Sequence, residues 1–279
     1  MPDNPLSSHE ESPRVRTRGT MRSLLLLAIF AWTLRSLIVS PFNIPSGSML
    51  PTLAIGDYLF VSKWPYGFSR YSFPLQIPAF SGRVLGRLPD RGDVVIFRLP
   101  GKEQEDWVKR VIGLPGDRIA VSGGAVILNG VPLQRVAAGE VAVRISPNSP
   151  CRPMPLARTI VNSGGHAACL IPAYRETLPN GPSYMTLNGV DGGPGDNFPE
   201  VVVPPGHMFV MGDNRDDSED SRFPRAQGPQ GGVGFLPVDH LVGRAAFAFW
   251  STDGSASYWK PWTWVTALRF ERIGTSYHR

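Results

Sequence analysis

Cysteine is nearly absent: Cys151 and Cys169 are the only two in 279 residues. That excludes a miniprotein held together by many disulfides, and no Cys/His grouping has zinc-ligand spacing, so no metal or cofactor motif is present. Charged residues are sparse at 18 % and form no long run of one sign, which excludes a disordered polyelectrolyte. Lys and Arg exceed Asp and Glu, giving a formal net charge of +5, but they are scattered and not interleaved with aromatics. Nucleic acid is therefore a poor partner, and a membrane surface fits the charge better. Long apolar stretches are also missing, with one exception, so the chain is not a polytopic membrane protein. No amphipathic helix of convincing length and no internal repeat is evident. What the chain has in quantity is turn formers, 30 Gly and 28 Pro without a collagen-like period, which predict short extended segments and an all-β domain. At 30.5 kDa it is long enough for one large domain or two modest ones.

The exception covers residues 24–39 and contains one charge, Arg35, near its far end, where a long stem can snorkel to an interface. A bilayer-spanning helix needs roughly 17–25 residues, so 23–40 is read as a transmembrane anchor. A removable signal peptide has the same outline, but no A-x-A sequence follows, and a cut after Ser40 would place Pro41 beside the scissile bond. Arg14, Arg16, Arg18 and Arg22 precede the span, and no Lys or Arg occurs from 40 to 62. The positive-inside rule puts residues 1–22 in the cytoplasm and 41–279 outside. In an exported domain two cysteines form either a disulfide or a pair of buried thiols.

Beyond residue 57, β-branched and aromatic runs bounded by turn signals predict strands at 58–61, 94–97, 107–112, 118–121, 125–128, 201–203, 207–211 and 241–249. Residues 145–200, rich in Pro, Gly and Asn, read as an insertion of loops and hairpins. The aromatic, proline-punctuated stretch 64–80 is either a packed loop or an interfacial surface beside the anchor.

Three elements could carry chemistry. Ser46-Gly47-Ser48 lies between Pro45 and Pro51 on a rigid turn, which presents either a nucleophile or only a turn-forming hydroxyl. In Trp107-Val108-Lys109-Arg110-Val111-Ile112, period-two alternation puts Lys109 on the face of Trp107 and Val111. Facing inward, its ammonium is desolvated and can become a base; on an edge strand it stays solvated and discourages aggregation. The run Gly212-Asp213-Asn214-Arg215-Asp216-Asp217-Ser218-Glu219-Asp220-Ser221-Arg222 fails as a calcium loop, lacking the glycine at position six. It is dense in groups suited to positioning another side chain.

Together with Ile44, Met49 to Thr52, and Arg91-Gly92-Asp93-Val94-Val95-Ile96-Phe97, these elements resemble, in order, the bacterial type I signal peptidases, also called leader peptidases. The likeness runs from the anchor to about Trp250; residues 145–200 and the tail after Trp250 fall outside it. The resemblance implies an all-β domain of antiparallel sheets and a membrane-anchored serine endopeptidase of the bacterial plasma membrane. Such an enzyme removes signal peptides from preproteins by cutting after small residues, beside phospholipid and the protein export machinery, and needs no cofactor. It also implies Ser48 as nucleophile and Lys109 as general base, with the Ser48 N–H and the Ser46 hydroxyl as oxyanion hole. Ser218 would orient Lys109 by a hydrogen bond, and Asp213, Asp220, Arg110 and Arg222 would brace the site. Phe42, Ile44, Pro45, Met49, Leu53, Ile96 and Val108 would line the substrate pockets. Trp107 stands where the family often has Tyr.

Three other readings compete. A Ser/His/Asp hydrolase would use His207 or His240, but no G-x-S-x-G elbow exists. A self-cleaving repressor shares the Ser/Lys pairing, but a cytosolic regulator needs no anchor. A membrane-tethered β-domain could bind envelope peptides by strand addition without catalysis.

Overall fold

The apolar segment is helical in the computed structural model, which describes residues 13–161, 165–225, 231–257 and 259–277. Residues 1–12 of the expected cytoplasmic segment lie outside the described residues. Helix α1 (Pro13–Thr33) passes into a π-helical turn, Leu34–Ile38. Together Gly19–Ile38 are 20 residues, about 30 Å at 1.5 Å per residue, long and apolar enough to cross a bilayer. Leu24 to Leu27, Ile29 and Phe30 are exposed rather than packed on protein. The helix stops short of the anchor end expected at 40, because Val39 and Ser40 already pair in strand β1 (Val39–Asn43). Pro41 disfavours helix in the residue before it and is tolerated here because β1 is an edge strand.

The remaining strands are β2 (Asp57–Ser62), β3 (Val94–Leu99), β4 (Lys102–Gly113), β5 (Arg118–Ser122), β6 (Ala125–Leu128) and β7 (Val131–Pro132). They continue as β8 (Gln134–Arg144), β9 (Arg158–Val161), β10 (Ala167–Thr177), β11 (Ser183–Leu187) and β12 (Phe198–Val202). Last come β13 (His207–Met211), β14 (Leu236–Pro237) and β15 (Leu241–Ser251). The fold is all-β and antiparallel. A seven-stranded sheet has the order β1-β2-β15-β3-β4-β13-β14, and a smaller one the order β12-β5-β6-β7.

Residues expected to be an insertion of loops and hairpins form a third sheet, in which β10 is flanked by β8 on one edge and by β9 and β11 on the other. It starts earlier than expected, at Gln134. Cys169 of β10 is bonded to Cys151, the two Cα atoms 5.3 Å apart, so the open choice between bridge and thiols falls to the bridge.

Stretch 64–80 is in part a packed loop. Tyr66 and Tyr71 are buried, whereas Trp64, Leu75 and Ile77 face outward. Trp32 of α1 stacks on Phe73 with ring centroids 6.3 Å apart, joining helix and loop. The tail after Trp250 returns to the turn between β1 and β2: Arg269 and Arg272 pair with the fully buried Asp57, and Arg272 also donates to the Thr52 carbonyl at 3.0 Å.

Candidate active site

Residues 44–56 form the connection between β1 and β2. Its neck is closed by backbone bonds from Ile44 to the Asp57 carbonyl (2.8 Å) and from Gly56 to the Ile44 carbonyl (2.9 Å). Met49 and Leu53 are fully buried in the apolar cluster with Leu59 and Val61, each contributing roughly 1.5–3 kcal/mol by burial. With those two plugs fixed, Ser48 is held where the turn faces β4.

β4 is interior, between β3 and β13, which rules out the solvated edge-strand lysine. Lys109 pairs in register with Val95, and its Nζ lies 5.2 Å from the Trp107 ring centroid on the same face. Nζ donates to Ser48 Oγ at 2.8 Å, and both residues are at least nine-tenths buried. Burial drives the Lys109 pKa down from 10.5 to about 8, against the opposing pull of Asp220, Glu219 and Asp217.

This burial predicts a stability effect. Below pH 8 the folded protein holds a proton where the surroundings disfavour it; the unfolded lysine gives that proton up only near 10.5. The cost is therefore fully present below about pH 8 and fades as pH rises to 10.5, up to about 3 kcal/mol at most. Lys109→Met should melt at a higher temperature than the natural protein at pH 7, and the gain should shrink between pH 8 and 10.5. An equal or lower melting temperature at pH 7 would count against the desolvation argument.

The loop after β13 closes the site from the other side. Asp220 is fully buried and accepts from the Gly212 N–H (3.0 Å), Ser218 Oγ (2.9 Å) and both Nε and Nη2 of Arg222 (2.9 Å each). Burial pushes the Asp220 carboxyl up, but Arg222 and these hydrogen bonds outweigh it and hold it below the usual carboxylate range. Asp213 takes a bidentate pair from Arg110, at 2.7 and 2.6 Å, and accepts from Thr52 Oγ1. Asn214 donates its N–H to the Ser48 carbonyl (3.0 Å) and Nδ2 to the Gly47 carbonyl (3.1 Å). The loop thus grips the serine turn by its backbone.

The cleft at Ser48 and Lys109 has a volume of about 720 Å³. Its walls include Phe42, Ile44, Pro45, Ile96, Val108 and Trp107, with Ser46 and Ser218 facing it as well. Ser46 Oγ stands 3.5 Å from Ser48 Oγ.

The family profile described as signal peptidase, peptidase S26, matches residues 17–250. The chain belongs to this family. It is accordingly a hydrolase, a serine peptidase. It is 32 % identical over 272 residues to a protein named signal peptidase I from Rickettsia conorii, covering 90 % of each chain. It is 30 % identical over 285 residues to one from Rickettsia bellii, covering 95 % of this chain and 87 % of that one. A crystal structure of a signal peptidase I from Enterococcus faecalis overlays with a TM-score of 0.29 at 21 % identity, covering 57 % of this chain and 97 % of that one. So loose an overlay has no bearing on the geometry of the site.

Within this signal peptidase family member, two expectations need correction. Met49 and Leu53 have no surface open to the cleft; both are fully buried in the apolar cluster that also holds the cleft walls Ile44, Ile96 and Val108. No hydrogen bond joins Ser218 to Lys109 among the described residues: Lys109 Nζ donates to Ser48, and the Ser218 hydroxyl donates to Asp220. His207 and His240 each donate Nδ1–H to a backbone carbonyl, Pro205 and Arg98, both at 3.0 Å, and neither is among the residues lining the cleft. Among the described residues no group of His, Cys, Asp and Glu is placed to hold a metal. Asn214 and Thr52 received no role from the sequence although both stand inside the quoted motifs; a polar residue beside an invariantly turning backbone offers no signal of which carbonyl it will reach.

Proposed function

We propose that this peptidase removes N-terminal signal peptides from exported preproteins, using Ser48 as nucleophile and Lys109 as general base. The observation that carries the reading is the 2.8 Å contact between Lys109 Nζ and Ser48 Oγ inside a cleft that lowers the lysine pKa to about 8. The neutral amine takes the Ser48 proton as Oγ bonds to the scissile carbonyl carbon. The protonated amine then gives that proton to the leaving nitrogen as the C–N bond breaks. Water, deprotonated by the same lysine, releases the acyl group from Ser48.

Negative charge on the attacked oxygen needs donors. The Ser48 N–H donates to no protein acceptor among the described residues, and the Ser46 hydroxyl lies 3.5 Å from Ser48 Oγ. Losing one such donor costs roughly 100- to 1,000-fold in turnover. Ser46→Ala should be slow by that factor but measurable, and Ser46→Thr should retain much of the activity; a Ser46→Ala enzyme with normal turnover would remove Ser46 from the oxyanion hole.

Helix Gly19–Ile38 supports a membrane anchor, with the arginines before it in the cytoplasm and the catalytic domain on the outer face of the plasma membrane. β1 follows that helix without a linker and leads directly into the serine turn. Cleavage is thereby held near the bilayer, where outward-facing Trp64, Leu75 and Ile77 suit contact with phospholipid, and where the export machinery delivers its substrates. An extended preprotein segment laid in the cleft would meet apolar walls from Ile44 and Ile96, which favour small side chains. The solubilised enzyme, incubated with a preprotein carrying Ala at the residue before the bond and two positions earlier, should cut there, as read by N-terminal sequencing. Phe or Lys before the bond should block cleavage. Equal cutting of the bulky variants would overturn the assignment.

A further inference from the structure

The sheet built from β8 to β11 carries none of the family's motifs, yet it is tied to the loop that grips Ser48. Glu176, on β10, is fully buried. Its carboxylate accepts from Arg215 Nη2 and from the Tyr184 hydroxyl at 3.2 Å, and Arg135 Nε approaches to 3.8 Å. Arg215 in turn donates Nε to the Gly212 carbonyl at 3.2 Å. The Tyr184 ring lies against the Arg110 guanidinium, 4.2 Å from its centroid, and Arg110 is the partner of Asp213. Both neighbours of Asn214 therefore lead back to Glu176, Arg215 directly and Asp213 through Arg110 and Tyr184. Asn214 between them holds the Gly47 and Ser48 carbonyls. Backbone bonds from Leu187 of β11 to the Asp213 carbonyl (2.9 Å) and from Arg215 to the Leu187 carbonyl (3.1 Å) fix the same three residues.

We infer that Glu176 is a positioning residue for the peptidase reaction, and that the β8–β11 sheet sets the placement of Ser48 through it. The inference rests on the Ser48 and Lys109 reading. Among the described residues Glu176 has no hydrogen bond or ion pair with a residue lining the cleft, so it acts through Arg215, Tyr184 and the backbone that Asn214 holds. Arg215 and Arg110 are both permanent cations, and one buried carboxylate at the junction keeps their side chains converged. Without it, Arg215 is free to turn toward other acceptors and the register of residues 213–215 against the serine turn relaxes.

The test is a single-turnover assay on the detergent-solubilised full chain, with enzyme in excess over a preprotein, because its rate constant does not depend on the fraction of molecules folded. Glu176→Gln keeps the shape and removes the charge. The pair Glu176→Leu with Arg215→Met removes both buried charges, so a melting temperature near that of the natural protein is expected. Both should lower the single-turnover rate constant about 10- to 100-fold, as for a displacement of an ångström or less at the nucleophile. Half-saturation and the pH midpoint should stay unchanged, since the cleft walls and the surroundings of Lys109 are not altered. Glu176→Asp, which keeps the charge, should recover part of the rate. Folded variants that process at the natural rate would overturn the inference, and so would a double variant that fails to fold, since Glu176 would then be purely structural. If Ser48→Ala itself kept processing, the reading beneath would fail instead; active Glu176 variants alongside an inactive Ser48→Ala would sink only the positioning role.

Discussion

Ser48→Ala and Lys109→Arg should each lower preprotein processing by roughly 10⁴-fold or more, the loss typical when the nucleophile or its base is removed from a coupled pair. Lys109→Arg is the sharper of the two. It keeps a positive charge and a donor within reach of Ser48, so a role for Lys109 as a mere electrostatic prop predicts substantial residual activity. Guanidinium, however, stays protonated at any working pH and cannot accept the Ser48 proton. The double variant should be no worse than either single one, because the two residues act as a unit. In the natural enzyme, activity should rise with pH around a midpoint near 8, since burial places the loss of the Lys109 proton there rather than at 10.5. Near-normal turnover by Lys109→Arg, or a midpoint at the free-lysine value, would break the assignment of Lys109 as base. A covalent serine-directed probe that labels the natural enzyme and not Ser48→Ala would separate a peptidase from a binding domain of the same fold.

Much of this site was legible in the sequence because its parts are local. The strand 107–112 could be read from alternation alone, and the face shared by Trp107 and Lys109 followed from a period of two. Whether that face was wet or dry could not be read, because it depends on the serine turn and the loop after β13 closing over it, contacts made across long stretches of chain. The acidic loop was recognisable as a positioning element by its density of hydrogen-bonding groups, but not its internal pairing. Ser218 has Asp220 two residues away and Lys109 on another strand, and its hydroxyl proton goes to the near partner. Met49 and Leu53 look like pocket residues by their closeness to Ser48 in sequence; in space they are wholly enclosed, packed behind the cleft walls Ile44, Ile96 and Val108 in the core that holds the turn still.

The β8–β11 sheet was less legible. Gln134–Arg144 is mostly exposed, with Gly139 at its middle, and its β-branched residues are diluted by alanines, so it has a weak strand pattern. Its pairing with Ala167–Thr177 is what makes it a strand, and that is a tertiary effect. The helix ends at Ile38 for a related reason: β1 is claimed by β2, which can pair with it only if the chain is already extended at Val39.

Gly212→Ala should lower the processing rate roughly 100-fold or more and also destabilise the fold. Gly212 sits where β13 ends, wedged between the serine turn and the loop. A Cβ there would lie 2.5 Å from the Ser48 carbonyl oxygen, 2.2 Å from Ser218 Oγ and 2.5 Å from Ser218 Cβ. None of the three can yield freely. The Ser48 carbonyl is bound by the Asn214 N–H, and the Ser218 hydroxyl is held by Asp220, itself locked by Arg222. The methyl group must therefore push the serine turn and the loop apart, and the 2.8 Å contact between Ser48 and Lys109 is the first to lengthen, since β4 is fixed within the sheet. Overpacking of this kind costs typically 1–3 kcal/mol, and a displacement near 1 Å at the reacting atom costs about 100-fold in rate. The two effects separate experimentally: melting reports the overpacking, and the single-turnover rate constant reports the displacement. Adding Ser218→Gly removes two of the three collisions and should return part of the melting temperature, while the contact with the Ser48 carbonyl remains and the rate stays low. A Gly212→Ala enzyme that melts and turns over like the natural one would mean that the loop does not press on the serine turn as described.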